Sequence, residues 1–198
     1  MEYMEYIPKL QKMANDFGVK IDFVPAKKFI FYMDILLKWN KKINLTAITA
    51  PDEILIKHFI DSLSVLKYVK FEDRHRIVDV GSGAGFPGMP LKILYPQNYF
   101  TFIDSLDKRI RFLKYLQEQL DLKFIKFIHG RAEEYAKEEV YREKYSVCFA
   151  RAVANLRVLS ELCLPLIRIS GLFVAYKNFG VQEEISEAQN AIKKLGCK

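Results

Sequence analysis

Three glycines at alternate positions, Gly81, Gly83 and Gly85, follow directly on the apolar residues Ile77, Val78 and Val80, with Asp79 set among them. A short apolar run bounded by glycine suits a central parallel strand, and glycines at its end let backbone approach a ligand closely. Strand, acid, glycine turn and helix start, in that order across Arg76 to Leu91 (RIVDVGSGAGFPGMPL), read as a cradle for a nucleotide cofactor. The dinucleotide pattern G-x-G-x-x-G would need glycine at Phe86, whereas the spacing here is G-x-G-x-G. Pyrophosphate also wants free N–H groups at the helix start, and Pro87 and Pro90 remove two of them from the expected first turn. Asp79 adds negative charge where a diphosphate would sit, yet that charge favours the ammonium and sulfonium of S-adenosyl-L-methionine. Charge and spacing together select the methyl donor; for the glycines alone, a tight turn without a ligand is the alternative.

The elements that must position this cradle follow from the hydrophobic pattern. After Arg76 a strand-helix rhythm sets in. Tyr99 to Ser105 forms a second strand, LDKRIRFLKYLQEQL its helix, Phe124 to Gly130 a third strand before a short acidic helix, and Tyr145 to Ala150 a fourth. Asn155 to Ile167 is a helix interrupted or ended around Pro165, Gly171 to Asn178 a fifth strand, and Val181 to Leu195 a last helix. Alternation at this spacing predicts a parallel doubly wound α/β sheet with helices on both faces. The first 70 or so residues instead read as a helical cap. A stripe from Tyr3 to Phe17 stops at Gly18, a second helix follows Pro25 and carries Trp39 near its end, and a third runs from Pro51 through Tyr68, buried by Ile54, Leu55, His58 or Phe59, Leu63 and Leu66. Trp39 reads as a core anchor rather than a base-stacking platform.

At 198 residues, 51% hydrophobic and 28% charged, the chain has the composition of one ordinary globular domain. We divide it into a cap over 1–72 and a core over 73–198. The excess of 31 Lys and Arg over 24 Asp and Glu, a net +7, is compatible with a polyanionic partner without forming a basic tail. Neither a secretory leader nor a membrane-spanning run is expected, because the opening MEYMEYIPKL lacks a basic and then apolar region and the run Phe29 to Leu37 is short and holds Asp34. Cys148, Cys163 and Cys197 have no paired spacing, which fits a reducing cytoplasm, and the first two read as core thiols. The scattered histidines 58, 75 and 129 argue against a metal.

Four segments carry a more specific likeness: WNKKINLTAIT (Trp39 to Thr49), HFIDSL (His58 to Leu63), DVGSGAGFPGMPLKI (Asp79 to Ile93), and RAEE with ARAVANL (Arg131 to Glu134, Ala150 to Leu156). Through them the chain resembles the bacterial small-subunit ribosomal RNA guanine-N7 methyltransferases, the glucose-inhibited division protein B family. The resemblance implies a Rossmann-like class I methyltransferase, S-adenosyl-L-methionine as cofactor, and small-subunit ribosomal RNA or its particle as partner, in the cytoplasm and as a monomer. It also implies a final antiparallel strand pair, which this chain, stopping at Lys198, is expected to lack.

Position and resemblance together put Gly81, Gly83 and Phe86 at the cofactor. Asp104, ending the second strand 23 residues after Gly81, could accept both ribose hydroxyl protons in one fork; it could equally be a helix cap, a role open to Ser105 or Asp107. The resemblance assigns Ala132 and Glu133 to the adenine edge, where a solvated helix start is the plain alternative. It likewise assigns Arg151 to the cofactor site, holding a carboxylate of the methionine moiety or of a nearby side chain, against the plain alternative of a surface ion pair. Guanine N7 offers an in-plane lone pair and no proton, so no general base is expected and positioning carries the reaction. Phe149-Ala150-Arg151 lacks the Asn/Asp-Pro-Pro-aromatic set used on exocyclic amines. Lys177 could belong to the lysine-aspartate-lysine-glutamate set of ribose methylases, but no aspartate follows the fourth strand. His58 and Asp61 either face the active-site mouth or pack helices together. The lysines of the cap (27, 28, 38, 41, 42 and 57) and Lys108, Arg109, Arg111 and Lys114 are RNA contacts or a solvated face. Alternatives to the leading reading are a methyltransferase of another RNA or of a small molecule, and an RNA-binding scaffold that holds nucleotide without turnover.

Overall fold

The structure, a computed structural model, describes residues 3–151, 154–177 and 180–197. Five strands, β1 (Arg76–Val80), β2 (Tyr99–Asp104), β3 (Ile125–His129), β4 (Tyr145–Arg151) and β5 (Ile167–Tyr176), form one parallel sheet in the order β3-β2-β1-β4-β5. The order reverses beside β1, which pairs with both β2 and β4, and a crevice opens beyond the carboxyl ends of strands at such a switch point. Ile77, Val78, Asp79 and Val80 are all buried, as a strand covered on both faces requires.

On one face, α4 (Gly88–Leu94) and α5 (Asp107–Gln119) share a core with the cap helices α1 (Tyr6–Asp16) and α2 (Phe23–Ile43): Leu10, Phe29 and Met33 meet Met89, Phe112 and the sheet residues Phe100, Phe102 and Phe149. On the other, α6 (Ala132–Tyr135) and α7 (Leu156–Cys163) cover Val78, Val80, Cys148 and Ala150, and Cys163 is buried there. The last helix, α8 (Gln182–Lys194), packs on α7 and buries Ala188. Trp39 meets Phe112 and Tyr115 of α5 at 5.6 and 5.3 Å between ring centroids, in the seam between cap and core.

Three expectations need correction. The second helix starts at Phe23 with Pro25 inside its first turn, where the missing N–H costs nothing. The helix expected over 51–68 is broken into α3 (Pro51–Ile54), a π-helical stretch Leu55–Ile60 and a 3-10 stretch Leu63–Lys67. The wider π turn points His58 and Phe59 inward together, at 7% and 0% exposure, where a regular helix pattern offered one or the other. The fifth strand begins at Ile167, four residues early, with a register shift against Tyr145 to Val147 of β4; Ser170, at φ 64°, turns the chain there, and a side chain on Gly171 would overlap Ile167. Its expected end at Asn178, with Ala152, Val153 and Lys198, lies outside the described residues. Among the described residues no helix is long and apolar enough to cross a membrane, and no cluster of His, Cys, Asp or Glu could hold a metal ion.

Candidate active site

Between β1 and α4 six backbone donors of the glycine turn and the helix start bond within the protein. The Gly81 and Ser82 amides donate to the Ile103 carbonyl at 2.8 and 3.2 Å, and Gly83 donates to Asp104 Oδ2 at 2.8 Å. Gly85 donates to Ser82 O at 2.7 Å, Gly88 to Asp79 Oδ2 at 2.9 Å and Met89 to Gly85 O at 2.7 Å, while Pro87 and Pro90 have no N–H. A phosphate nest needs such groups turned outward, so the turn is poorly made for a dinucleotide. At Gly83, with φ +58°, an added Cβ would meet nothing nearer than Gly81 O at 3.8 Å, leaving room for a ligand against the backbone. Gly85 differs: its Cβ would lie 2.8 to 2.9 Å from Met89, Leu113 and the Tyr32 hydroxyl, so close packing, not ligand approach, demands glycine there.

Asp79 does not face the ligand space as its charge suggested. It is fully buried, caps α4 through Gly88, and leaves Oδ1 without a partner. Burial raises its carboxyl to about 7, against the opposing pull of the Gly88 amide and of Arg151. Rejection of diphosphate therefore rests on the inward amides rather than on this charge.

Asp104 is not the cap of α5, since Leu106 takes that position without a side-chain cap bond; the Asp104 carboxylate instead ties the turn that leads into the helix. Its Oδ1 accepts from Leu106 N at 2.9 Å just ahead of α5, its Oδ2 takes Gly83, and Arg109 Nη1 stands 3.4 Å away. A carboxylate has about four acceptor sites, so capacity for hydroxyl donors remains, but the side chain is only 1% exposed beside the Arg109 guanidinium. The Asp104 carbonyl accepts from Gly130 N at 3.0 Å, which carries the chain past Arg131 to Ala132 and Glu133 in the first turn of α6. Ala132 is buried, while Glu133 is half-buried with its carboxylate 3.6 Å from Arg131.

Arg151, last residue of β4, follows Ala150, the partner of Val80. Its Nη1 donates to Asp61 Oδ2 at 2.9 Å and to the Lys57 carbonyl at 3.3 Å, and its Nη2 lies 3.2 Å from His58 Nδ1. The ion-pair alternative is thus realised, with a cap residue 90 positions away, though the guanidinium has five N–H groups and retains some for a carboxylate. Thr46 Oγ1 holds the other face of His58, 2.9 Å from Nε2. Burial and the Arg151 charge lower His58 to about 4, so its ring is neutral at pH 7.

Phe86 has its ring centroid 5.2 Å from Tyr32 and 4.4 Å from His58, nearly parallel to both, and Arg151 lies 5.0 Å from the same centroid. At 5% exposure it is an internal spacer beside the turn more than an open platform. Sequence reading missed this stack because nothing singled out Tyr32 within the second helix; its hydroxyl donates to the Ala84 carbonyl inside the glycine turn.

Next to Arg151 a cavity of about 820 Å³ opens between the π-helical stretch and the end of β5, bounded by His58, Asp61, Tyr176, Lys177 and Glu184. Lys177 donates to Ala154 O at 2.6 Å and to Glu184 Oε1 at 2.5 Å, which accounts for its charge without a ribose-methylase set. Gly81, Gly83, Asp104 and Arg151 therefore gather at the carboxyl edge of the sheet, with Ala132 and Glu133 at its β3 side and Phe86 beneath Arg151. His58 and Asp61 border the cavity mouth.

A family model described as rRNA small subunit methyltransferase G matches residues 26–198. A ribosomal RNA small subunit methyltransferase G from Clostridium tetani is 48% identical over 98% of this chain and 82% of its own length. One of the same description from Halalkalibacterium halodurans is 47% identical over 99% and 81%. In three dimensions the chain is similar to a SAM-dependent O-methyltransferase from Thermotoga maritima (TM-score 0.57, 13% identity, 80% of this chain and 55% of that one). It is also similar to precorrin-6y C5,15-methyltransferase from Geobacter metallireducens (TM-score 0.51, 12% identity, 78% and 75%). At such identities the structural likeness speaks for the class I methyltransferase fold alone.

Proposed function

Because the chain belongs to the rRNA small subunit methyltransferase G family, we propose that it transfers the methyl group of S-adenosyl-L-methionine to N7 of a guanine in small-subunit ribosomal RNA, in the cytoplasm, with residues 1–198 working as one unit. The observation that carries this reading is the glycine turn: open to a ligand at Gly83, closed to phosphate by its inward amides, and adjoining through Arg151 a cavity large enough for a nucleotide base.

In this reading Gly81 and Gly83 lie along the donor, Asp104 takes the ribose hydroxyls, Ala132 and Glu133 read the adenine edge, and Arg151 holds the methionine carboxylate with Phe86 supporting it. When bound, S-adenosyl-L-methionine supplies a methyl group activated on a sulfonium. The acceptor side asks little proton chemistry of the protein. Guanine N7 presents a lone pair, so a rigid cavity that aligns it suffices. Positive charge develops on the purine, and Asp61 and Glu184 at the cavity wall, though paired with Arg151 and Lys177, keep further acceptor sites to turn towards it. His58, neutral and hydrogen-bonded on both ring nitrogens, holds the Arg151 guanidinium in place rather than moving a proton.

Incubating the protein with methyl-labelled donor and small-subunit particles tests this. Label on a single guanine at N7 is expected. Label confined to DNA, protein or transfer RNA refutes the assignment.

A further inference from the structure

The opposite end of the sheet carries a feature that methyl transfer does not use. A cavity of about 510 Å³ lies across the amino ends of four strands and is bordered by their first residues, Arg76, Tyr99, Ile125 and Tyr145. Arg74, Phe124 and Lys126 complete its cationic and aromatic rim, and no Asp or Glu lines it. Among the described residues, Arg74, Arg76 and Lys126 make no ion pair. Arg76 lies over the Tyr145 ring at 5.6 Å, and Lys126 donates to the Tyr141 hydroxyl at 2.6 Å. Of the acids next in sequence, Glu72 lies 3.5 Å from the His75 ring nitrogen.

The aromatic rim is left to water. Tyr99 and Phe124 are 44% and 48% exposed, with centroids 5.2 Å apart. Phe124 has φ 58° and Arg74 φ 62°, a left-handed conformation that bulky side chains rarely adopt. Strain at two positions around one cavity is the kind of cost that a binding site retains. Beneath the floor, the fully buried Lys92 donates to Pro96 O at 2.9 Å and Asn98 O at 2.5 Å, and its ammonium lies 5.6 Å from the ring centroids of both Phe100 and Phe124. No carboxylate is among these acceptors, so its charge adds to that of the rim.

We infer that this cavity is a second RNA site, which takes one unpaired nucleotide of the RNA substrate, its base against Phe124 and Tyr99 and its phosphates on Arg74, Arg76 and Lys126. Cations that track phosphates beside exposed rings that stack bases are how proteins hold single strands. Five residues of β1 at roughly 3.3 Å each separate this end from the glycine turn by about 16 Å, so a strand of several nucleotides, not one base, would engage both. The inference rests on RNA being the substrate, but donor binding measured on the same variants tells its failure from failure of the proposed function.

The test follows the anisotropy of fluorescein-labelled decauridylate on the full chain between 50 and 200 mM KCl, with uridine monophosphate and decaglutamate as competitors. Arg74→Glu with Lys126→Glu should weaken decauridylate at least tenfold and reduce the salt slope by about 1.5. Phe124→Leu should weaken it about fivefold or more with the slope unchanged. Calorimetric affinity for S-adenosyl-L-methionine and the melting temperature should stay at wild-type values in both, which also reports intact folding. Unchanged decauridylate affinity in both variants overturns the inference. So does a silent Phe124→Leu with decaglutamate competing as well as RNA, which would make this a patch for acidic protein. Binding of the mononucleotide but not the oligomer overturns it in favour of a small-molecule site.

Discussion

Replacing Asp79 by asparagine should invert part of the pH dependence of stability. The carboxyl is raised from 3.8 to about 7 by burial. Between those values the folded protein keeps a proton that the unfolded chain releases, so the stability present below pH 3.8 is lost as pH rises towards 7. Three units at about 1.4 kcal/mol each make about 4 kcal/mol. His58 works the other way. Lowered from 6.5 to about 4, it binds its proton only on unfolding, so its contribution grows with pH across that window, by about 3 kcal/mol. In the wild type the two slopes nearly cancel between pH 4 and 6.5. The substituted amide keeps an acceptor for Gly88 N and no longer titrates, so the His58 slope is uncovered. Its N–H₂, placed where Oδ1 of the aspartate has no partner, costs about 1 to 3 kcal/mol at every pH. Urea unfolding at half-unit steps from about pH 4.5 to 8 should give a difference curve, Asp79→Asn minus wild type, that climbs about 1.4 kcal/mol per pH unit and levels near 7. Parallel curves would refute the buried, protonated Asp79 on which the reasoning depends.

Arg151→Lys cannot hold Asp61, the Lys57 carbonyl and His58 at once, and should weaken S-adenosyl-L-methionine binding at least tenfold by calorimetry, since charge-assisted hydrogen bonds contribute about 1.5 to 3 kcal/mol each. Asp104→Ala removes the acceptor of both Gly83 and Leu106, and should lower donor affinity and unfolding free energy together; a change in stability alone would remove it from the donor site. Gly85→Ala and Gly83→Ala should part company. The first drives a methyl into three side chains and should cost about 2 to 4 kcal/mol in denaturant unfolding, while the second costs about 1 to 2 kcal/mol of backbone strain and chiefly reduces donor affinity. Lys41→Glu with Lys42→Glu should flatten the salt dependence of RNA binding and spare the donor, and an unaltered slope would assign both to plain surface.

The parallel sheet was legible because β1, β2 and β4 are short, mostly apolar runs closed by glycine or a polar residue, and β1 and the glycine turn fall where that pattern puts them. The break in the third cap helix was not, because apolar spacing cannot tell a π turn from a regular one when His58 and Phe59 adjoin. Asp79 was read as a charge facing ligand because sequence shows an acid before glycines without showing that the strand is covered on both sides. Asp104 and Arg151 were found as strand-end residues, yet their partners were hidden. Gly83 is a local neighbour only in space, and Asp61 and His58 reach Arg151 through a fold that brings the cap over the sheet. The basic aromatic cavity at the amino ends was missed for the same reason, as its most telling side chains come from separated segments around Arg76, Tyr99, Phe124 and Tyr145.

The three-ring pile of Tyr32, Phe86 and His58 draws one member from each of three distant stretches of chain. No member can change size by itself without leaving a void or a clash beside the glycine turn. A drift from phenylalanine to leucine at 86, say, would need an answering change at 32 or 58. Substitutions here should therefore be tolerated in matched sets, and single ones should be rescued by a second made far away along the chain.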